Sequence, residues 1–311
     1  MRALAAIAAA VTAVAVAGLA GAAAPPAPTL AACPVFPASN VWNKPVTGLP
    51  VAAGSARLVA SIGLGSSVHP DFGSGLYDGS RIGIPYVVVH GKTTPKSRVT
   101  FDYADESDKG PYPIPAGVPI EGDPKPDGGD RHALIVDRDS CTLYELYALH
   151  RTSSGWAAGS GAIWSLRSNK LRPAGWTSAD AAGLPILPGL ARYDEVKAGR
   201  IDHALRFTAP RTRNAYVYPA RHEASSETDA ALPPMGLRVR LKASVDIAHL
   251  PPQARIVAQA LKTYGMILAD NGSPWYISGA PDAHWSNDQL HQLGRLTGAD
   301  FEVVDTSHLR P

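Results

Sequence analysis

From Trp176 to Phe207 the chain reads WTSADAAGLPILPGLARYDEVKAGRIDHALRF, and this stretch limits the possible folds more than any other. Pro185 and Pro188 preset φ and remove N–H donors, while Gly183, Gly189 and Gly199 admit positive φ, so the segment cannot run as one plain helix or strand. Asp180, Asp194, Glu195 and His203 stand among these breakers. An irregular backbone carrying several ionisable groups is suited to shaping a site. The rest of the chain must then supply regular elements that hold it.

Composition says which elements. With 29 Gly, 28 Pro and only 18% charged residues among 311, the chain favours short strands, turns and ordered loops over a helical bundle. A hydrophobic content of 45% is enough to bury a sizeable core. The net charge of +2 and the absence of a basic run argue against a nucleic-acid partner, because phosphate binding needs clustered cations. Met1 and Arg2 followed by the Ala-rich run to Ala24 read as a signal peptide over residues 1–24, with the mature start between about 23 and 33. Leu30-Ala31-Ala32-Cys33 also fits a lipobox, but Pro25, Pro26 and Pro28 separate it from the apolar run. The only other cysteine is Cys141. A Cys33–Cys141 disulfide in an exported, extracellular chain is therefore the favoured reading, and closing so long a loop contributes on the order of 4 to 5 kcal/mol in the chain-entropy model. No later apolar run is long enough to span a membrane.

Periodicity places the elements. Helices are expected at Ser55 to Ile62, at Pro252 to Tyr264 with proline in the first turn and Gly265 beyond, and at Asp288 to Leu296 with Asn287 as N-cap. Strands are expected at 84–89, 98–103, 132–137, 141–147, 156–166, 204–208, 215–218, 236–242, 266–270 and 301–305. Residues 204–208 and 215–218 read as a hairpin. The alternation of 236–242 places Leu237, Val239 and Leu241 inward and Arg238, Arg240 and Lys242 on a basic outer face. No repeat or linker divides the chain. The sum is a mainly β, antiparallel β-sandwich, jelly-roll-like, with a few peripheral α-helices, as a single globular domain over 33–311 and a monomer.

Three groups of residues could carry chemistry. Asp102, Asp105, Glu106 and Asp108 follow a strand and could supply the paired carboxyls of glycan hydrolysis, or else bind calcium through Asp105, Glu106 and Asp108. Asp180 and His203 bracket the breaker-rich stretch; Asp194 and Glu195 lie about 100° apart on a short helix and so do not work as a pair. Histidines next to carboxylates occur at His69, His132, His203 and His222, yet none stands at the spacing of a recognisable metal site, so no metal is assigned. Tyr193, Arg221 and His222, with Trp176 and Trp275 as ring-stacking platforms, complete a set that could bind a sugar or neutralise a uronic acid. Asp270-Asn271-Gly272 is a tight polar turn, a possible substrate rim or only a turn.

The segments ASNVWNKPV (38–46), HPDFGSG (69–75), SADAAGLPILPGLARYDEV (178–196) and ADNGSPWYISGAPD (269–282) together resemble a family of secreted bacterial proteins to which no activity is attached. The resemblance spans nearly the whole mature chain and implies a single exported domain, with no catalytic residue carried over. From the residues themselves we expect a secreted enzyme acting on an extracellular polysaccharide, a glycoside hydrolase or a polysaccharide lyase. Asp105, Glu106, Asp180 and His203 are its acid/base candidates, and Trp176, Arg221, His222, Tyr193 and Trp275 its substrate-binding candidates. A non-catalytic protein binding cell-wall glycan and a metal-dependent hydrolase are the alternatives.

Overall fold

The computed structural model describes residues 27–125 and 129–309; residues 1–24, expected from sequence to be a signal peptide, lie outside them. The chain is mainly β, built from several sheets with a few helices. Six strands order as Phe301–Val303, Arg238–Leu241, Met266–Asn271, Leu205–Ala209, Tyr276–Ser278 and His69–Asp71. Four more order as Ser160–Ser165, Thr142–Tyr147, Ala133–Asp137 and Tyr86–Val89, and a three-stranded sheet joins His150–Thr152, Gly155–Ala158 and Val99–Phe101. The antiparallel hairpin Ala133–Asp137 with Thr142–Tyr147 follows from its short connection. The sheets are mixed, however, because Leu205–Ala209 pairs parallel to Met266–Asn271, Tyr86–Val89 to Ala133–Asp137, and Tyr276–Ser278 to His69–Asp71.

The four-stranded sheet is covered on both sides. Side chains alternate across a strand, so Leu134 and Val136 enter the large core shared with the six-stranded sheet while Ala133 and Ile135 enter a smaller core with Val99, Tyr112 and Trp156. That double burial explains why His132 to Val136 reads as an unbroken apolar run after its first residue rather than an alternation. The helix Pro252–Thr263 buries Ala254, Val257, Ala258, Ala260 and Leu261, and the helix Ser55–Gly63 lies against Phe301–Val303. Cys33 and Cys141 are disulfide-bonded, which ties the extended start of the described chain to the turn after Ala133–Asp137.

Between the two larger sheets runs the breaker-rich stretch. Ala179, Ala182, Leu184, Ile186, Leu187, Leu190 and Ala191 all belong to the large core. Irregular backbone inside a core must still satisfy its polar groups. Glu145, fully buried and pointing from its strand into this core, accepts hydrogen bonds from the N–H groups of Ile186 at 3.0 Å and Leu187 at 2.9 Å. Ser178 Oγ donates to the Leu184 carbonyl at 2.5 Å. Gly183 has φ +66°, and a Cβ there would stand 2.4 Å from the Trp176 carbonyl oxygen, so only glycine fits the turn.

Four local expectations are corrected. Residues 215–218 form no strand: Tyr216 makes only an isolated bridge to Met235, and Leu205–Ala209 takes strand partners distant in sequence instead. The expected strand over 156–166 is two, Gly155–Ala158 and Ser160–Ser165, in different sheets. Arg238 does not face solvent: it is 1% exposed and donates to the carbonyls of Val41, Lys44 and Tyr264, binding the N-terminal segment to the sheet. The last helix is Asn287–His291 with Ser286, not Asn287, as its cap, because Ser286 Oγ accepts from the Gln289 N–H.

Candidate functional site

Strand ends from both larger sheets meet the breaker-rich stretch at a cavity of about 410 Å³. His132 stands just before Ala133–Asp137, Tyr147 ends its strand and Ser160 begins the next; Asp270 and Asn271 end a strand of the other sheet. Thr177, Ser178, Ala179, Asp180 and Ala181 form the wall between, and Tyr103 and Glu106 come from the acidic loop. Arg172 holds that loop in place, donating to Asp108 Oδ2 and to the carbonyls of Glu106 and Thr177 at 2.6 to 2.7 Å.

Charge is concentrated at the cavity floor. Buried Arg206 grips Asp180 in a two-pronged ion pair, Nε to Oδ2 at 3.0 Å and Nη2 to Oδ1 at 2.8 Å, and its Nη1 donates to Ser278 Oγ. The same Nη2 lies 3.9 Å from Asp270 Oδ2. Two acids thus share one guanidinium. Burial, and next the neighbouring charge of Asp180, push Asp270 up to about 7 despite Arg206. At the cavity wall His132 Nδ1 meets Glu121 Oε2 at 2.5 Å and Nε2 meets the Ala179 carbonyl oxygen at 2.9 Å. Burial opposes a charged His132 ring, but Glu121 outweighs it and pushes the imidazole up to about 9. Burial likewise opposes an ionised Glu121, and His132 nevertheless holds it below the usual carboxylate range.

The structure divides the residues proposed from sequence. Asp180, Glu106 and His222 line this cavity together. Glu106 Oε2 accepts from the Thr177 N–H at 2.8 Å, and His222 Nδ1 donates to the Ala181 carbonyl at 2.8 Å. Arg221 is a brace behind the wall, donating to the Arg172 carbonyl, and Trp176 stacks under the Arg172 guanidinium at 5.4 Å. Asp105 is exposed and does not line the cavity.

The remaining candidates lie elsewhere. His203 is buried between the Ala204 carbonyl and Glu195 Oε2, at 2.8 and 3.1 Å, and does not line the cavity. Tyr193 stacks on His284 and borders a second cavity of about 580 Å³ with Tyr86, Arg192, Asp194 and Asp282. The two acids there are already engaged, Asp282 by His284 and Asp194 by Arg192. Trp275, expected to stack on a sugar, is instead fully buried between Phe207 and Phe301 and donates its Nε1–H to the Gly63 carbonyl. It has no face to offer a ligand. At the acidic loop Asp108 bonds Arg172 and the Ile163 N–H, Glu106 Oε2 takes the Thr177 N–H, and the three acids are not grouped as metal ligands among the described residues.

A grouping of three metal-ligand types does exist among the described residues, at Glu121, Asp130 and His132. It was invisible to spacing rules because its members come from a loop and a strand start, not from one helix. Asp270, Arg206 and Glu145 were missed for a related reason: on alternating strands they read as pattern, and only the Asp-Asn-Gly turn after Ala269 hinted at a rim. No protein-family model, curated protein or solved structure matches the chain.

Proposed function

We propose that the protein is a secreted carbohydrate-active enzyme, a glycoside hydrolase acting on an extracellular polysaccharide in the cleft between its two larger sheets. The observation that carries the reading is the pairing of unlike carboxyls around one cavity. Asp270, half-buried beside the Asp180–Arg206 pair, is suited to hold a proton near neutrality; Glu106, anchored by a backbone N–H at the opposite loop, is suited to activate water or attack the sugar. Asp270 is then the general acid, Glu106 the base or nucleophile, and Asp180 a positioning residue that sets the charge around Asp270. Tyr103, 54% exposed at the rim, and Tyr147 offer ring faces for a sugar. The disulfide, and the lack among the described residues of any helix long and apolar enough to cross a membrane, accord with an extracellular protein.

The test is a panel of plant, fungal and bacterial glycans incubated with the purified chain and scored for reducing ends and for unsaturated products. Release of reducing ends that Asp270→Asn and Glu106→Gln each abolish supports the assignment. No release across the panel, or release indifferent to both changes, rejects it. Unsaturated products would point to a lyase instead. A non-catalytic glycan binder is the second reading, favoured by the exposed Tyr103 at the rim; it requires retention on insoluble glycan without cleavage.

A further inference from the structure

We propose that Glu121, Asp130 and His132 bind one divalent metal ion of the Zn²⁺ or Mn²⁺ class at the wall of the cleft. Each side chain offers one ligand atom, and the three atoms lie within 4.8 Å of one another. Asp130 and His132 also line the cavity. Proximity of three such groups is common without an ion, so the case rests on how each of them is held.

His132 is held as metal-bound histidines are. Its Nε2 faces the Ala179 carbonyl oxygen at 2.9 Å, an atom that can only accept, so Nε2 carries the hydrogen. The Nδ1 position is thereby directed at the carboxylates, with Glu121 Oε2 at 2.5 Å. Histidine ligands characteristically donate their second N–H to a backbone carbonyl, which fixes both tautomer and ring plane. At 2.5 Å that contact holds a proton, and an ion takes its place only as the Glu121 carboxylate draws back from Nδ1.

Asp130 is held ready. Its carbonyl oxygen accepts from the Ala148 N–H at 3.0 Å, which fixes the backbone, while its exposed carboxylate takes no hydrogen bond from another described residue. Arg131, between the two ligands Asp130 and His132, has φ +59°, a left-handed conformation that a non-glycine residue adopts at a cost on the order of 1 kcal/mol. Its guanidinium is anchored to Asp123 at 2.9 Å. Closing the ligand set needs rotation of the exposed Asp130 side chain and a widening of the Glu121–His132 contact.

The charge balance agrees. Once the proton between Nδ1 and Glu121 is displaced, two carboxylates and a neutral imidazole offset one dication, whereas Arg206 is already matched by Asp180. One nitrogen with two oxygens suits Zn²⁺ or Mn²⁺ better than Ca²⁺, which prefers six or more oxygens. Three protein ligands leave a position open, as in catalytic rather than structural sites, and here that position looks onto the cleft. Metal binding stands or falls independently of glycan cleavage.

The experiment uses tag-free protein, stripped with chelator and desalted, titrated calorimetrically with Zn²⁺, Mn²⁺ and Ca²⁺ and, by absorption, with Co²⁺. We expect one Zn²⁺ per chain, Ca²⁺ far weaker, and a visible Co²⁺ band. Asp130→Asn, a change at an exposed side chain, weakens Zn²⁺ at least about tenfold and removes the band. His132→Gln does the same, with circular dichroism confirming its fold, and Asp246→Asn on a remote surface changes nothing. Absence of stoichiometric binding by the wild-type chain, or an Asp130→Asn titration indistinguishable from it, overturns the proposal. Should His132→Gln fail to fold, Asp130→Asn and the Co²⁺ spectrum decide the matter.

Discussion

The stretch from Trp176 to Phe207 enters two buried charge clusters that resemble each other in composition and differ in balance. At the cleft, one guanidinium, Arg206, stands against two carboxyls, Asp180 and Asp270. At the far end, one buried carboxyl, Glu195, faces two nitrogen partners: Arg192 Nη2 at 2.6 Å and His203 Nε2 at 3.1 Å. The acids respond in opposite directions. Asp270 is pushed up to about 7, by burial first; burial also opposes the ionised Glu195, yet Arg192 and His203 hold it below the usual carboxylate range. An acid short of partners keeps a proton available for transfer, and an acid with a nitrogen partner on each oxygen is locked as a charge that holds its surroundings. Neighbouring Asp194 is 53% exposed against 10% for Glu195, and both reach the same Arg192 guanidinium. Of the two clusters, only the one with a single guanidinium for two carboxyls lines that cavity with its acids.

The largest expected effect breaks the comparison at its cleft end. Asp270→Asn should lower kcat on the released glycan by about 100- to 10,000-fold, the usual weight of general acid catalysis, while leaving the thermal midpoint unchanged or slightly raised. Next, Arg192→Leu should destabilise the fold by about 3 to 5 kcal/mol in urea unfolding, because Glu195 keeps its burial and loses its first partner, with turnover per folded molecule preserved. A protein indifferent to Arg192→Leu would show that the far cluster is not structural.

Glu145 sharpens the comparison through pH. Burial lifts its carboxyl from an ordinary 4.5 to about 7. Below pH 4.5 folded and unfolded chains both hold the proton; as pH rises toward 7 the unfolded chain releases it first, so this group's contribution to stability is lost across that window. Glu145→Gln should flatten the fall in urea midpoint between pH 4.5 and 7, and an unchanged slope would contradict the assignment. Smaller still, Tyr103→Ala should weaken glycan retention by about 1 kcal/mol, the scale of one aromatic contact. Asp105→Asn should alter stability by less than about 0.5 kcal/mol and leave turnover alone, as expected for an exposed side chain away from the cavity.

What sequence could reveal follows from how local each signal is. The helix Pro252–Thr263 was legible because proline, apolar period and Gly265 lie within one short segment, and Asp180 because its setting among breakers is unusual. The parallel pairing of Leu205–Ala209 with Met266–Asn271 was not, since nothing in either strand names a partner so far along the chain. The cleft inherits that gap. Arg206 and Asp270 come together only through this pairing, and Asp180 joins them only because the intervening stretch threads the core. Arg238 misled for a different reason: alternation shows which way a side chain points but not that the segment around Val41 and Lys44 covers it.

The most direct test sets the two clusters side by side in one assay. Thermal midpoint and kcat on the same glycan would be measured for Asp270→Asn and for His203→Gln. A cleft that catalyses and a far cluster that braces predict a lost kcat with an intact midpoint for Asp270→Asn, and a lowered midpoint with an intact kcat per folded molecule for His203→Gln. The reverse pattern, or equal losses of kcat in both, would contradict the division.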